Sequence, residues 1–152
     1  MYPKVIIDAK KYAYNVDYLT NLCHKNQVTM MAVSKVFSND SRLIEVLDQS
    51  NVDYIADSKL ENLMHMKTTK PKVYLRVPAL SEVSLVVKYT DISLNSELVV
   101  IDKLNEVSAK MNKRHQIILM FDIGDLREGI YYKNFSLEDI KHILELSHLD
   151  LI

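Results

Sequence analysis

The chain has 152 residues, 48% hydrophobic and 26% charged, with a net charge of -1, which is the make-up of one globular domain able to bury a core. Neither sign of charge reaches the excess that nucleic acid or an anionic membrane surface requires, and the apolar runs are too short and interrupted for a transmembrane span. One cysteine, Cys23, leaves no internal disulfide and fits a reducing, cytoplasmic compartment.

The opening Met1-Tyr2-Pro3-Lys4 lacks the apolar core of a signal peptide. Residues 5–8 form the first strand-sized apolar run, and the helical pattern behind it carries Tyr12, Val16, Leu19 and Cys23 on one face. The run 28–34 ends at Lys35. Ser38-Asn39-Asp40-Ser41 then supplies an N-cap for a helix bearing Leu43, Val46 and Leu47. The run 52–56 leads to a capping-box pattern, Ser58 and Glu61, ahead of Leu60, Leu63 and Met64. The run 72–77 precedes a helix that Ser81 can cap, with Leu80 and Leu85 spaced as a hydrophobic staple. After 91–94, Ser96 can cap a longer helix with an inward stripe of Leu98, Ile101, Leu104 and Val107. The run 116–122 opens onto a glycine-bearing loop. Ser136 and Asp139 repeat the capping pattern, with Phe135 and Ile140 spaced as a staple, and a last run covers 149–152.

Several strand runs are apolar at successive positions, the mark of strands buried on both faces of a parallel sheet. Strand and helix alternate with short joins, which gives α/β class and right-handed βαβ units. A doubly wound sheet and a (β/α) barrel both satisfy this pattern. A full barrel needs about 250 residues, so the chain is expected to be either an open sheet or part of a barrel.

Two segments carry candidate chemistry. Lys35 stands at the carboxyl end of an apolar strand, where parallel α/β folds bind ligands. A lysine partly withdrawn from water there loses preference for its charged form and can attack an aldehyde. The alternative is a lysine whose stem covers the strand end while its amine stays in water. The second segment is Asp122-Ile123-Gly124-Asp125-Leu126-Arg127-Glu128-Gly129, which holds both glycines of the chain, where average usage gives about ten. Glycine used this sparingly is needed for backbone shape or close approach. Arg127 offers a rigid donor fork for a carboxylate, phosphate or phenolate oxygen. The alternative is a polar turn with a surface arginine. Asp57-Ser58 and Asn95-Ser96 end strands and begin helices, where plain capping competes with ligand contact. The five histidines show no metal-ligand spacing, so no metal is expected. No phosphate-cradling glycine loop and no Ser/His/Asp arrangement can be picked out.

Together these segments resemble the alanine racemase N-terminal domain family, pyridoxal-phosphate proteins of fold type III, and within it the ornithine and diamino-acid branch. The resemblance rests on Ile6-Ile7-Asp8-Ala9-Lys10 with Asn15, on Ala32-Val33-Ser34-Lys35, and on Ala56-Asp57-Ser58-Lys59-Leu60-Glu61-Asn62-Leu63. It continues through Ser93-Leu94-Asn95-Ser96-Glu97 and the Asp122–Gly129 segment, in order along nearly the whole chain. It implies the first five to six units of a (β/α)8 TIM barrel, residues 1–152 being the N-terminal part of a cofactor-binding barrel without its remaining units and the C-terminal β domain. It implies a homodimeric amino-acid racemase, for alanine or for ornithine and related diamino acids, with pyridoxal 5'-phosphate as cofactor. Lys35 is implied as the Schiff-base lysine and acid/base, Arg127 as its catalytic companion near the phenolate oxygen and substrate carboxylate, and Asn95 and Ser96 as cofactor contacts.

The sequence departs from the family pattern in places. Val36-Phe37-Ser38-Asn39 stand where a tyrosine is usual, Met120 replaces a lysine, and Asp125 replaces a methionine. An aspartate there suits the side-chain ammonium of a diamino acid, so Asp125 is taken as a substrate contact. Two other readings share parts of the pattern. A non-catalytic barrel of the pyridoxal-phosphate homeostasis type also reads Ala-Val-Ser-Lys, but carries Gly-Glu-Asn where Ala56-Asp57-Ser58 stand here. A regulatory α/β domain without cofactor is the third. A half-barrel exposes strand edges, so residues 1–152 alone are expected to self-associate or dissolve poorly.

Overall fold

The computed structural model of the chain describes residues 3–134 and 136–152. Six strands build one parallel sheet: β1 (Met31–Val33), β2 (Tyr54–Asp57), β3 (Lys72–Tyr74), β4 (Ile92–Asn95), β5 (His115–Leu119) and β8 (Leu149–Leu151), in the order β1-β2-β3-β4-β5-β8. Between them run α1 (Ala9–Lys25), α2 (Ser41–Gln49), α3 (Leu60–His65), α4 (Val83–Tyr89), α5 (Leu98–Lys110) and α6 (Leu137–Glu145). β6 (Phe121–Asp122) and β7 (Ile130–Tyr131) form a separate small pair. No helix among the described residues is long and apolar enough to cross a membrane.

Strand order and packing decide between the two architectures that the alternation pattern leaves open, in favour of the barrel that the family resemblance implies. A doubly wound sheet reverses its strand order and carries helices on both faces. Here the strands follow chain order without reversal, and the two sheet faces differ. Ala32, Ile55, Tyr74, Ile117 and Leu149 share a core with helix residues such as Leu47, Leu63, Val86, Leu104 and Ile143. The alternate positions, Ala56, Val73 and Ile92 with Met31, Tyr54, Leu75, Leu94 and Ile118, pack against one another with no helix residue among them. Helices on one face and strand side chains alone on the other is the construction of a (β/α) barrel wall. The chain is therefore an incomplete barrel of six parallel strands.

Several local expectations are corrected. Residues 5–8 lie outside both sheets: among the described residues the segment pairs with no strand, and Val5 and Ile6 stay exposed. Its last residue becomes the N-cap of α1, the Asp8 carboxylate accepting from the amides of Lys10 and Lys11. On α1 the buried positions are Val16 and Thr20, while Leu19 is half exposed; the Thr20 hydroxyl is satisfied by the Val16 carbonyl at 2.8 Å. The run 116–122 breaks at Met120 into β5 and β6. Asp40 caps α2 as expected, and Ser136 with Asp139 forms a full capping box at α6. Ser58, Ser81 and Ser96 do not cap: α3, α4 and α5 begin one or two residues later, at N-cap residues Lys59, Glu82 and Glu97 with no side-chain cap bond. Leu80 and Leu85 are both partly exposed and do not form the buried staple. The proposed partner of Ile140, Phe135, lies outside the described residues.

Candidate functional site

A parallel sheet delivers all its carboxyl ends to one rim, and every residue singled out for chemistry follows such an end. Lys35 opens a short 3-10 turn, Lys35–Phe37, directly after β1. The turn leaves the strand direction through Ser38 and Asn39, both with left-handed backbone, at φ 48° and 61°. Lys35 is exposed, and among the described residues no hydrogen bond or ion pair engages its amine. The partial withdrawal from water expected from its position is thus not present. β1 is an edge strand of this sheet, so only one flank of the strand end is covered.

The backbone just before Lys35 is firmly held. The Ser34 amide donates to the Ala56 carbonyl at 2.8 Å, and the Ser34 hydroxyl donates to the Asp57 carboxylate at 2.7 Å. Both side chains are fully buried. From the sequence, Asp57-Ser58 stands at a strand end with capping and ligand contact as competing roles, and nothing there links Asp57 to Ser34.

At the end of β4, Asn95 is fully buried. Its amide nitrogen donates to the Ser93 carbonyl at 2.9 Å and to the Ser93 hydroxyl at 3.0 Å, while its oxygen Oδ1 has no hydrogen-bond partner among the described residues. Ser93 Oγ in turn shares a 2.9 Å hydrogen bond with His115 Nε2. Burial pushes the His115 pKa from 6.5 down to about 4, with Asp91 opposing and Lys113 adding to the shift. Ser96, the next residue on the rim, is half-buried.

After β5 the chain turns into the loop that carries both glycines. The Met120 amide donates to the Asn95 carbonyl at 2.9 Å, which ties the root of this loop to the end of β4. Asp122 organises the turn by accepting from the amides of Gly124 at 2.8 Å and Leu126 at 3.3 Å, and those backbone bonds hold its pKa below the usual carboxylate value. Gly124 and Gly129 have φ of 115° and 120°. At Gly129 a Cβ would also sit 2.6 Å from the Asp122 backbone nitrogen, so glycine is needed there twice over. Asp125 and Arg127 are both exposed, and an apolar cleft of about 460 Å³ lies beside them, lined by Phe121, Ile123, Leu126, Tyr131 and Tyr132.

Lys35, Asn95, Ser96, Asp125 and Arg127 therefore share one rim but do not touch one another through any hydrogen bond among the described residues. Four strand spacings separate β1 from β5, about 19 Å along a flat sheet. Barrel curvature is what shortens that span.

Residues 7–152 match the family model described as "Alanine racemase, N-terminal domain". The chain is 41% identical over 152 residues to an ornithine racemase of Acetoanaerobium sticklandii, covering 99% of this chain and 43% of that protein. It is 30% identical over 143 residues to a lysine racemase of Thermotoga maritima, covering 92% of this chain and 40% of that protein. Among solved structures, an alanine racemase of Clostridium difficile 630 superposes with a TM-score of 0.80 at 18% identity, over 97% of this chain and 42% of that one. The chain spans about two fifths of the length of the curated relatives it matches.

Proposed function

The chain belongs to the alanine racemase N-terminal domain family, and from that premise we propose that it is the lysine-bearing part of a pyridoxal 5'-phosphate-dependent racemase acting on a diamino acid of the ornithine or lysine type. The observation that carries this reading is the unengaged amine of Lys35, on the same rim as Asn95, Ser96 and the Arg127 loop. The residues on that rim suit an anionic aldehyde. A primary amine can condense with the aldehyde carbon. The Arg127 guanidinium matches a phenolate or carboxylate oxygen. Ser96 adds a hydroxyl at the start of α5, and Asn95 Oδ1, a buried acceptor with no partner among the described residues, is open to a hydrogen-bond donor of the bound molecule rather than to its anionic groups.

When bound there, pyridoxal phosphate supplies the electron sink that lets the substrate α-carbon give up its proton. The Lys35 amine accepts and returns that proton on one face of the carbon. Arg127 orients the substrate carboxylate. The exposed Asp125 carboxylate meets the distal ammonium of a diamino acid, in keeping with the ornithine and lysine substrates named for the two curated relatives. Residues 1–152 are read as the N-terminal part of the barrel domain of a cytoplasmic homodimer.

The test uses the full-length protein incubated with pyridoxal phosphate. A visible absorption band is expected, borohydride should fix the cofactor to Lys35 in a peptide map, and Lys35→Ala should abolish both. Racemisation of ornithine and lysine, followed by chiral chromatography, should fall by about 10³-fold or more in that variant. A band and full turnover surviving Lys35→Ala would overturn the reading. Asp125→Ala should slow ornithine more than alanine; equal effects would remove Asp125 from substrate recognition.

A further inference from the structure

Resting on the reading of Lys35 as the cofactor lysine, we propose that Asp57 is a positioning residue, whose buried carboxylate holds the Ser34 hydroxyl and so fixes where β1 ends and how Lys35 leaves it. Asp57 is fully buried at the last position of β2. Its Oδ2 accepts from Ser34 Oγ at 2.7 Å and from Asn62 Nδ2 at 3.1 Å, and its Oδ1 accepts from the Lys59 amide at 2.9 Å. Three elements thus converge on one carboxylate: the end of β1, the end of β2 and the first turns of α3.

A carboxylate withdrawn from water is costly unless its oxygens are well supplied with donors. Helix α3 explains only part of this arrangement. The Lys59 amide needs one acceptor, and an exposed aspartate would serve. The second oxygen also takes the Asn62 side chain of α3, but its shorter bond to a buried serine, one residue before Lys35, does nothing for α3. It does fix Ser34, whose amide is also held by Ala56. Ser34 has left the strand conformation, at φ -89° and ψ -8°, so this is the residue where the chain turns from β1 into the lysine turn. Ala32 lies on the helix side and Met31 begins the inner row, so strand alternation carries Ser34, two residues after Ala32, to the helix side. Anchoring Ser34 on the helix side keeps the next side chain from being drawn under the helices.

The Lys35 amine reports on this without cofactor as well as with it. In the apo full-length protein, the acetylation rate of each lysine can be followed by mass spectrometry across pH, with exposed Lys11 as internal reference. Asp57→Asn and Ser34→Ala should both shift the Lys35 profile relative to Lys11. With pyridoxal phosphate added, both should slow borohydride-trapped labelling of Lys35 by on the order of tenfold. Ser34→Thr, which keeps the hydroxyl, should restore both readouts. Asn62→Ala should lower the melting temperature and leave the Lys35 profile in place. If Asp57→Asn fails to fold, Ser34→Ala decides alone, since it removes one hydroxyl and nothing else. A folded Ser34→Ala protein with a wild-type Lys35 profile and labelling rate overturns the inference. Wild-type label on a lysine other than Lys35 overturns the underlying reading, and the inference with it.

Discussion

Gly129 and His115 show how much a single position can fix. At Gly129 both the backbone angle and the neighbouring strand exclude a side chain, whereas at Gly124 only the angle does, since nothing lies within 4 Å of its added Cβ. Gly129→Ala should therefore cost more stability than Gly124→Ala, about 1–3 kcal/mol in thermal unfolding, and should displace Arg127. His115 gives a pH-dependent term. Its folded pKa, about 4, lies below the unfolded 6.5, so the neutral ring is the form that folds. The stability it provides is complete above pH 6.5 and is lost as pH falls from there to about 4, a change of roughly 3 kcal/mol. His115→Gln keeps a polar partner for Ser93 and should flatten that part of the stability curve, read as urea midpoints across the range. A curve with the same acid limb in the variant would assign the loss to other groups. Asp91 and Lys113 are the charged neighbours acting on the ring.

At the scale of the element, three serines that look alike in sequence separate in the structure. Ser136 caps α6, with its hydroxyl accepting from the Asp139 amide at 3.2 Å and the Asp139 carboxylate accepting from the Ser136 amide at 2.7 Å. Ser58 and Ser81 precede helices that start without a side-chain cap. Ser136→Ala should cost about 1 kcal/mol and Ser58→Ala less than about 0.5 kcal/mol in chemical denaturation. Equal costs would mean that Ser58 caps α3 in solution. The helix C-termini follow a rule of their own. Lys72 donates to the Leu63 carbonyl at the end of α3, and Lys113 to the Val87 and Lys88 carbonyls at the end of α4. Basic side chains from later in the chain, Lys72 in the next strand after α3 and Lys113 beyond α5, thus satisfy carbonyls that a helix end leaves bare. This accounts for Lys72 and Lys113 beside the cleft at the amino ends of β3 and β4 without a ligand.

For the molecule as a whole, the inner face of the sheet matters most. Met31, Tyr54, Leu75, Leu94 and Ile118 are only partly covered, and β1 and β8 each have one sheet neighbour. Apolar surface and open strand edges of this kind drive association. Residues 1–152 alone should sediment as oligomers or precipitate in analytical ultracentrifugation. A monodisperse monomer at micromolar concentration would show that the face is stable when exposed.

The alternation of apolar runs with capped helices was enough to fix the α/β class and the parallel sheet, and strand-end position was enough to single out Lys35, Asn95 and Arg127. These are local properties, since an apolar run and a glycine pair act within a few residues of themselves. The strand and helix pattern could not choose between a doubly wound sheet and a barrel, because both use the same units; the family resemblance implied the barrel, and the packing of helices on one face bears it out. The sequence could not link Ser34 to Asp57, which stand 23 residues apart. Only the parallel register, with Val33 opposite Ala56, sets the hydroxyl against the carboxylate. Register and curvature arise from the whole sheet at once, so the contacts that hold the lysine turn are decided by tertiary structure.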